Sequence, residues 1–155
     1  MTQSKLSDWM HVALDEARVA ATSGEVPVGA VVVHQGKIIA QAHNEVEAAH
    51  DATLHAEMLA LRRAASVLGR WRLDDCSLFV TLEPCPMCIG AMVLARVQSL
   101  YFGAYDPRLG AVGSLFDLSA HPSFPHKIEV YPGLLADTAQ ELLKNFFAEC
   151  RKERS

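Results

Sequence analysis

Twice in this chain a strand pattern gives way to a helix pattern, and that succession constrains the fold more than any other feature. The first is the apolar stretch VGAVVVHQGKIIAQAHN, followed by LHAEMLALRRAASVLG. The second is CSLFVTL, residues 76–82, followed after three residues by PMCIGAMVLARV. CSLFVTL is short and rich in β-branched and aromatic residues, as a buried strand is. The helix after it carries Pro86 in its first turn, where the absent N–H would have had no partner. Repeated strand-to-helix units predict an α/β fold, a sheet covered by helices.

The remaining pattern fills in around these units. Leu6, Met10, Ala13, Leu14, Ala17 and Ala21 recur at helical spacing, with Ser4 or Ser7 as the expected cap and Gly24 as the stop. Residues 28–33 and 37–42 read as a hairpin about the turn Gln35-Gly36. The helix after it places Leu54, Met58, Leu61, Ala65 and Leu68 on one face, with Asp51 or Thr53 as cap and Gly69 as stop. SLYFGA and KIEVYPG are two further strand candidates, which brings the count to five. Residues 134–151 form an amphipathic helix through Leu142, Leu143, Phe146 and Phe147. The two phenylalanines lie about 100° apart on it, so one is expected in the core. The Gly- and Pro-rich segment 105–126 is too long for a plain connection and reads as an ordered functional loop, with one helical turn. With no linker, repeat or low-complexity tract, residues 1–155 read as one domain.

Composition narrows the function classes. Half of the residues are apolar and 21% are charged, as in ordered globular proteins. The net charge of −4 excludes a uniformly basic nucleic-acid coat, though not a local basic patch. Asp8, Asp15 and Glu16 interrupt the N-terminal helix pattern, so no secretory signal is read there. No apolar run reaches the roughly 18 residues of a membrane span. The expected compartment is the cytoplasm, where thiols stay reduced. A disulfide is therefore a weak reading of Cys85 and Cys88.

Those two cysteines are half of the four in the chain. Their two-residue gap at a helix start places both sulfurs on one rim, at the positive end of the helix dipole, which favours thiolates. Thiolates bind zinc. By itself the spacing fits a redox pair or two buried thiols equally well. His55 also falls in the first turn of a helix, where a histidine alone is more often a cap or a core residue. Taken with the cysteines it makes three zinc ligands. Cys76, His50 and His43 have no spacing that suits a fourth, and three protein ligands are the mark of a catalytic site open to water. Glu57 lies two residues beyond His55, a rotation of about 200°. It is poorly placed to ligate the same metal, yet close enough to move protons beside it.

His55-Ala56-Glu57 with Pro84-Cys85-Pro86-Met87-Cys88 matches the H-x-E and P-C-x-x-C signature of base-modifying zinc deaminases. The chain thus resembles the cytidine and nucleotide deaminase superfamily, and within it the bacterial tRNA-specific adenosine deaminases. The closer likeness runs through EVPVGAVVV, AHN, HAE, TLEPCPMCIGAM, FGAYDPRLGAVGSLFDL, GLLAD and LLKNFFAECRKER. It implies a three-layer α/β/α sandwich on a five-stranded mixed sheet, in agreement with the strand candidates. It implies one zinc ion per chain on His55, Cys85 and Cys88, with Glu57 as catalytic proton shuttle. The implied reaction is hydrolytic deamination of adenosine to inosine at the first anticodon position of tRNA.

Resemblance also implies the substrate contacts. Val28 would pack on the flipped base, Asn44 would hydrogen-bond the purine near N7, and the Ala56 amide would sit near the reacting C6. Asp106 would meet the sugar–phosphate chain and Phe147 would stack near the RNA. Arg108, Lys144, Arg151, Lys152 and Arg154 are the phosphate candidates, with Arg70 and Arg72 beside them. Ala148, Glu149 and Cys150 depart from the more basic pattern expected at the C-terminus. A homodimer is implied, and the helix PMCIGAMVLARV is apolar nearly all round, as burial against a sheet and a partner requires. Other readings are a deaminase of a free nucleobase or nucleotide such as cytosine or guanine, a non-catalytic RNA-binding subunit with structural zinc, and a dithiol redox protein.

Overall fold

The computed structural model describes residues 2–154. Its five strands are β1 (Gly29–His34), β2 (Lys37–His43), β3 (Cys76–Leu82), β4 (Ser99–Ala104) and β5 (Glu129–Tyr131), in the order β2-β1-β3-β4-β5. β1 runs antiparallel to both β2 and β3, while β3–β4 and β4–β5 are parallel, so the sheet is mixed. The helices are α1 (Gln3–Thr22), α2 (Val46–Ala49), α3 (Ala56–Leu68), α4 (Pro86–Ala95) and α5 (Ala136–Glu153).

Two apolar layers sandwich the sheet. On one face Ala30, Val32, Leu78, Val80, Leu100 and Phe102 pack against α3 and α4. On the other, Val31, Val33, Phe79 and Tyr101 pack against Trp9, Met10, Ala13 and Leu14 of α1 and Ala139 of α5. This is the three-layer arrangement the resemblance implied. Alternate residues of β3 serve opposite layers, which is why successive positions Leu78, Phe79 and Val80 are all apolar. The hairpin turn places Gln35 at φ 52° and Gly36 at φ 75°, the paired left-handed conformations that match strand twist. α1 lies directly on β1: a Cβ at Gly29 would fall 1.9 Å from the Ala13 carbonyl oxygen.

Several local expectations are corrected. Thr2, not Ser4 or Ser7, caps α1, its hydroxyl accepting the Lys5 N–H at 3.3 Å. His55, not Asp51 or Thr53, holds the cap position of α3; the Asp51 carboxylate instead closes a tight turn by accepting the Thr53 N–H at 2.8 Å. The buried face of α3 is Ala56, Glu57, Ala60, Leu61 and Ala64. Small residues let that helix approach the sheet closely, and Met58 and Leu68 fall to its flank. α2 was not anticipated; the Glu25 carboxylate accepts its Glu47 and Ala48 N–H groups at 3.0 and 2.9 Å. Residues 105–128 contain no helix, only a bridge between Val112 and Asp117. Neither Phe146 nor Phe147 enters the core: both are half-buried and meet edge to face at 5.4 Å. Only the first half of α5 lies over the sheet, where Ala139 alone is buried. No described helix is long and apolar enough to cross a membrane.

Candidate active site

Sheet topology gathers the site on one edge. β2, β3 and β4 end there and β1 begins there, because Gly29 pairs with His43, Ala30 with Val80, and Leu82 with Ala104. The residues just beyond that edge are Val28, Asn44, Glu83 and Tyr105. Ligands of open α/β sheets bind beyond the carboxyl ends of the strands, and this edge is the one that qualifies.

Two helices start at the same edge. His55 is the cap residue of α3 and Cys85 that of α4, both with extended backbone (ψ 154° and 172°), and neither side chain makes a capping hydrogen bond. The side chains turn toward each other instead. His55 Nδ1 lies 3.6 Å from Cys85 Sγ and 3.4 Å from Cys88 Sγ. A tetrahedral zinc with ordinary Zn–S and Zn–N bonds sets its sulfur and nitrogen ligands roughly 3.5 Å apart. The three donor atoms lie within 4.8 Å of one another, and among the described residues no further His, Cys, Asp or Glu joins them. The donor set and its spacing fit one zinc ion with one position left over. The fourth-ligand candidates lie elsewhere: Cys76 is buried at the start of β3, His50 ends α2 in a left-handed conformation, and His43 Nδ1 meets the Glu16 carboxylate at 2.7 Å.

The electrostatics divide the two thiols and poise the neighbouring glutamate. A hydrogen bond from Cys88, and then one from His55, hold the Cys85 thiol down at about 4 against the opposing effect of burial. The same bond to Cys85, with burial and the nearby Glu57, pushes Cys88 well above the ordinary thiol range. The hydrogen bond to Cys85 raises His55, although burial opposes it. Glu57 is 4% exposed and faces the Cys88 thiol; burial pushes its carboxyl up to about 7. A carboxyl at that level both takes and gives protons near neutral pH.

Three of the expected substrate residues converge on this corner. Val28 is buried in the same cluster as Ala56, Cys85 and Cys88, and its carbonyl accepts the Asn44 N–H at 3.2 Å. Asn44 Oδ1 accepts the Ala56 N–H at 2.8 Å. The Ala56 amide is therefore held by Asn44 at this corner. Asp106 and Arg108 lie on the loop after β4, where Asp106 Oδ1 also accepts the Arg108 N–H at 3.0 Å. Phe147 reaches the same loop through the Arg108 guanidinium, 5.8 Å from its ring. Arg151 and Lys152 stand exposed in the last turn of α5, complementing its dipole, with Lys152 3.3 Å from Glu149. Lys144 is exposed on α5, and Arg154 caps its end. Arg70 pairs with Asp75 at 2.7 Å, and Arg72 pairs with Asp74 at 3.5 Å, so acidic neighbours already meet both guanidinium groups.

Sequence reasoning missed Glu83, which is 2% exposed and whose carboxylate gathers the loop 106–114. Burial pushes its carboxyl up, but hydrogen bonds from Ser114, Asp106 and Val112 outweigh that and hold it below its usual value. A signal was available: an acidic residue between a buried strand and a buried helix must find donors.

Residues 3–104 match the cytidine and deoxycytidylate deaminase zinc-binding region. The chain is 47% identical over 154 residues to the tRNA-specific adenosine deaminase of Bacillus subtilis (strain 168), covering 99% of this chain and 94% of that one. A structure solved in studies of A-to-I editing by tRNA:A34 deaminases at the wobble position of transfer RNA superposes with TM-score 0.85 and 43% identity, covering 88% of this chain and 99% of that one. The guanine deaminase of Nitrosomonas europaea superposes with TM-score 0.78 and 30% identity, covering 92% of this chain and 84% of that one.

Proposed function

The chain belongs to the cytidine and deoxycytidylate deaminase family, and from that premise we propose that it converts adenosine to inosine at the first anticodon position of tRNA. The observation that carries the reading is the corner where two helix starts bring an imidazole and two sulfurs together beside a buried carboxylate. The likeness to tRNA-specific adenosine deaminases along nearly the whole chain, at higher identity than to a guanine deaminase, supports the choice of substrate.

Zinc held by His55, Cys85 and Cys88 supplies a Lewis acid that makes a nucleophile of water at neutral pH. The rest is the work of this chain. Glu57, buried beside Cys88, takes a proton from water as oxygen bonds to C6 of adenine, and delivers it to N1. It then carries the second proton to the exocyclic nitrogen, the C6–N6 bond breaks, and ammonia leaves. Adenosine and water become inosine and ammonia, with no redox partner. Charge that develops on the ring lies beside the N-termini of α3 and α4, whose dipoles favour it.

Val28 packs on the base, and Asn44 donates to N7 from the amide end that Ala56 does not occupy. Ala56 thereby orients Asn44. The target adenosine must leave its stack to reach this corner, a step made easier by its place in an anticodon loop. Asp106, Arg108 and Phe147 line the approach of the RNA strand, and Arg151 and Lys152 meet phosphates farther along. The enzyme works as a homodimer in the cytoplasm; the exposed Leu94 of α4 is an apolar side chain for a second copy to cover.

The test is an anticodon stem-loop bearing adenosine, incubated with purified protein beside free adenosine, cytidine and guanine, with inosine detected directly. Inosine in the stem-loop is the expected result. Ammonia from cytidine or guanine, with none from the RNA, overturns the reading.

A further inference from the structure

Glu83 is buried, ionisable and unused by the chemistry above. It stands between the last residue of β3 and the zinc candidate Cys85, so its Cα lies within about 7 Å of that of Cys85. A buried carboxylate is costly unless every oxygen finds donors. Here Oε1 accepts from the Asp106 N–H at 2.9 Å and from the Ser114 hydroxyl. Oε2 accepts from the Val112 N–H at 2.9 Å and the Ser114 N–H at 3.1 Å. These four donors occupy roughly the full accepting capacity of a carboxylate, and all belong to one loop. Gly110 closes the contact: a Cβ there would fall 2.3 Å from the Glu83 carboxyl carbon. The Ala111 N–H, bonded to the Pro84 carbonyl at 2.9 Å, ties the same loop to the residue beside Cys85.

The loop presents Tyr105, Arg108, Leu109, Leu115 and Phe116 to solvent. So large an exposed aliphatic and aromatic face on an ordered loop suits stacking and packing against unpaired nucleotides. A loop without helix or strand holds such a face in place only if something fixes its backbone, and a carboxylate that can only accept specifies which N–H groups must point inward.

We infer that Glu83 is a positioning residue: it registers the 105–116 loop to the strand end that carries Cys85, so that the RNA strand and the metal corner share one rigid frame. The inference rests on the tRNA reading above.

The experiment compares the zinc-loaded wild type with Glu83→Gln, Gly110→Ala and the double variant. Bound zinc per chain, amide hydrogen exchange at Asp106, Val112 and Ser114, and KM and kcat on the adenosine stem-loop are measured together. Glutamine opposes an NH2 group either to the Asp106 N–H, where the Ser114 hydroxyl can turn to accept, or to the Val112 and Ser114 N–H groups. Glu83→Gln should keep one zinc per chain and lose exchange protection at Asp106, or at Val112 and Ser114, according to the end the NH2 group takes. KM should rise about 10- to 100-fold, with kcat changed less than about threefold. Gly110→Ala strikes the same contact from the loop side and should do likewise, and the double variant should lose less than the product of the two. If Glu83→Gln does not fold, the KM of Gly110→Ala decides alone. An unchanged KM despite lost protection overturns the inference, as does a loss confined to kcat and bound zinc. If the wild type itself makes no inosine in the stem-loop, the functional reading fails, and the inference falls with it.

Discussion

Asn44 offers a test in which one amide is split into its two ends. Its Oδ1 accepts the Ala56 N–H at 2.8 Å, and Ala56 is the first residue of α3 and fully buried. Truncation in Asn44→Ala leaves that helix-terminal donor buried with no acceptor, which costs about 1–3 kcal/mol. For a chain of this size each kcal/mol lowers Tm by roughly 2–4 °C, so a fall of about 2–12 °C is expected. Asn44→Asp keeps an accepting oxygen at that position, and its charge suits a helix N-terminus. Its Tm should stay within about 2 °C of wild type. Activity separates the variants differently. Neither alanine nor a carboxylate can donate to a purine N7, and a carboxylate repels it. Both variants should lose kcat/KM on the stem-loop, by about 10-fold for alanine and about 100-fold for aspartate. The assay is paired: thermal unfolding of zinc-loaded protein, and initial rates of inosine formation. An aspartate variant as unstable as alanine refutes the acceptor role toward Ala56. An aspartate variant as active as wild type refutes the donor role toward the base.

Further outcomes follow from other parts of the molecule. Glu57→Ala should retain bound zinc and a cooperative fold while losing at least about 10⁴ in kcat, since general acid–base steps contribute 10²–10⁴ each and this carboxyl carries two; undiminished turnover would support a non-catalytic subunit instead. Phe79 is fully buried and stacked on Tyr101 at 4.5 Å; Phe79→Ala should cost about 3–5 kcal/mol in denaturant unfolding. The hydrogen bond from Arg70, reinforced by His34 and opposed by burial, lowers the Asp75 carboxyl from 3.8 to about 2. That stabilisation is complete above pH 3.8 and disappears as pH falls toward 2. Because the side chain is 49% exposed, solvent reduces it to under about 1 kcal/mol. Asp75→Asn should therefore cost less than that at pH 7, and the gap to wild type should narrow on acidification through pH 3.

What the sequence disclosed follows the range of the forces involved. β3 was legible to the residue because it is buried on both faces and so carries apolar residues on both, with only Ser77 and Thr81 polar. The turn at Gln35-Gly36 was legible because its conformation admits few residue types. The caps were misread, because Ser, Thr and Asp are locally interchangeable and tertiary contacts choose among them; His55 occupies a cap position for the sake of its partners across the site, not for its own helix. The buried face of α3 was misread because the sheet selects alanines for close approach, whereas hydrophobicity points to leucine and methionine. The meeting of His55, Cys85 and Cys88 was expected from two short motifs, while Glu83 was not. Its partners lie 23 to 31 residues downstream in a loop with no periodicity to read.

The same topology explains why candidates near the C-terminus were harder to place. Val28, Asn44, Glu83 and Asp106 are spread across the sequence, yet strand register alone delivers them to one edge of the sheet. The metal corner lies in the α3 and α4 layer. α5 packs in the opposite layer with α1, so the sheet stands between them. Phe147 can meet the site only around the edge, and its contact with Arg108 runs by that route. The loop thus joins the two layers at this edge, and loosening it should uncouple them. Phe147→Ala should then raise KM for the stem-loop in wild type but add little in the Glu83→Gln background, where the loop no longer holds Arg108 in place. Equal effects in both backgrounds would mean that α5 meets RNA independently of the loop.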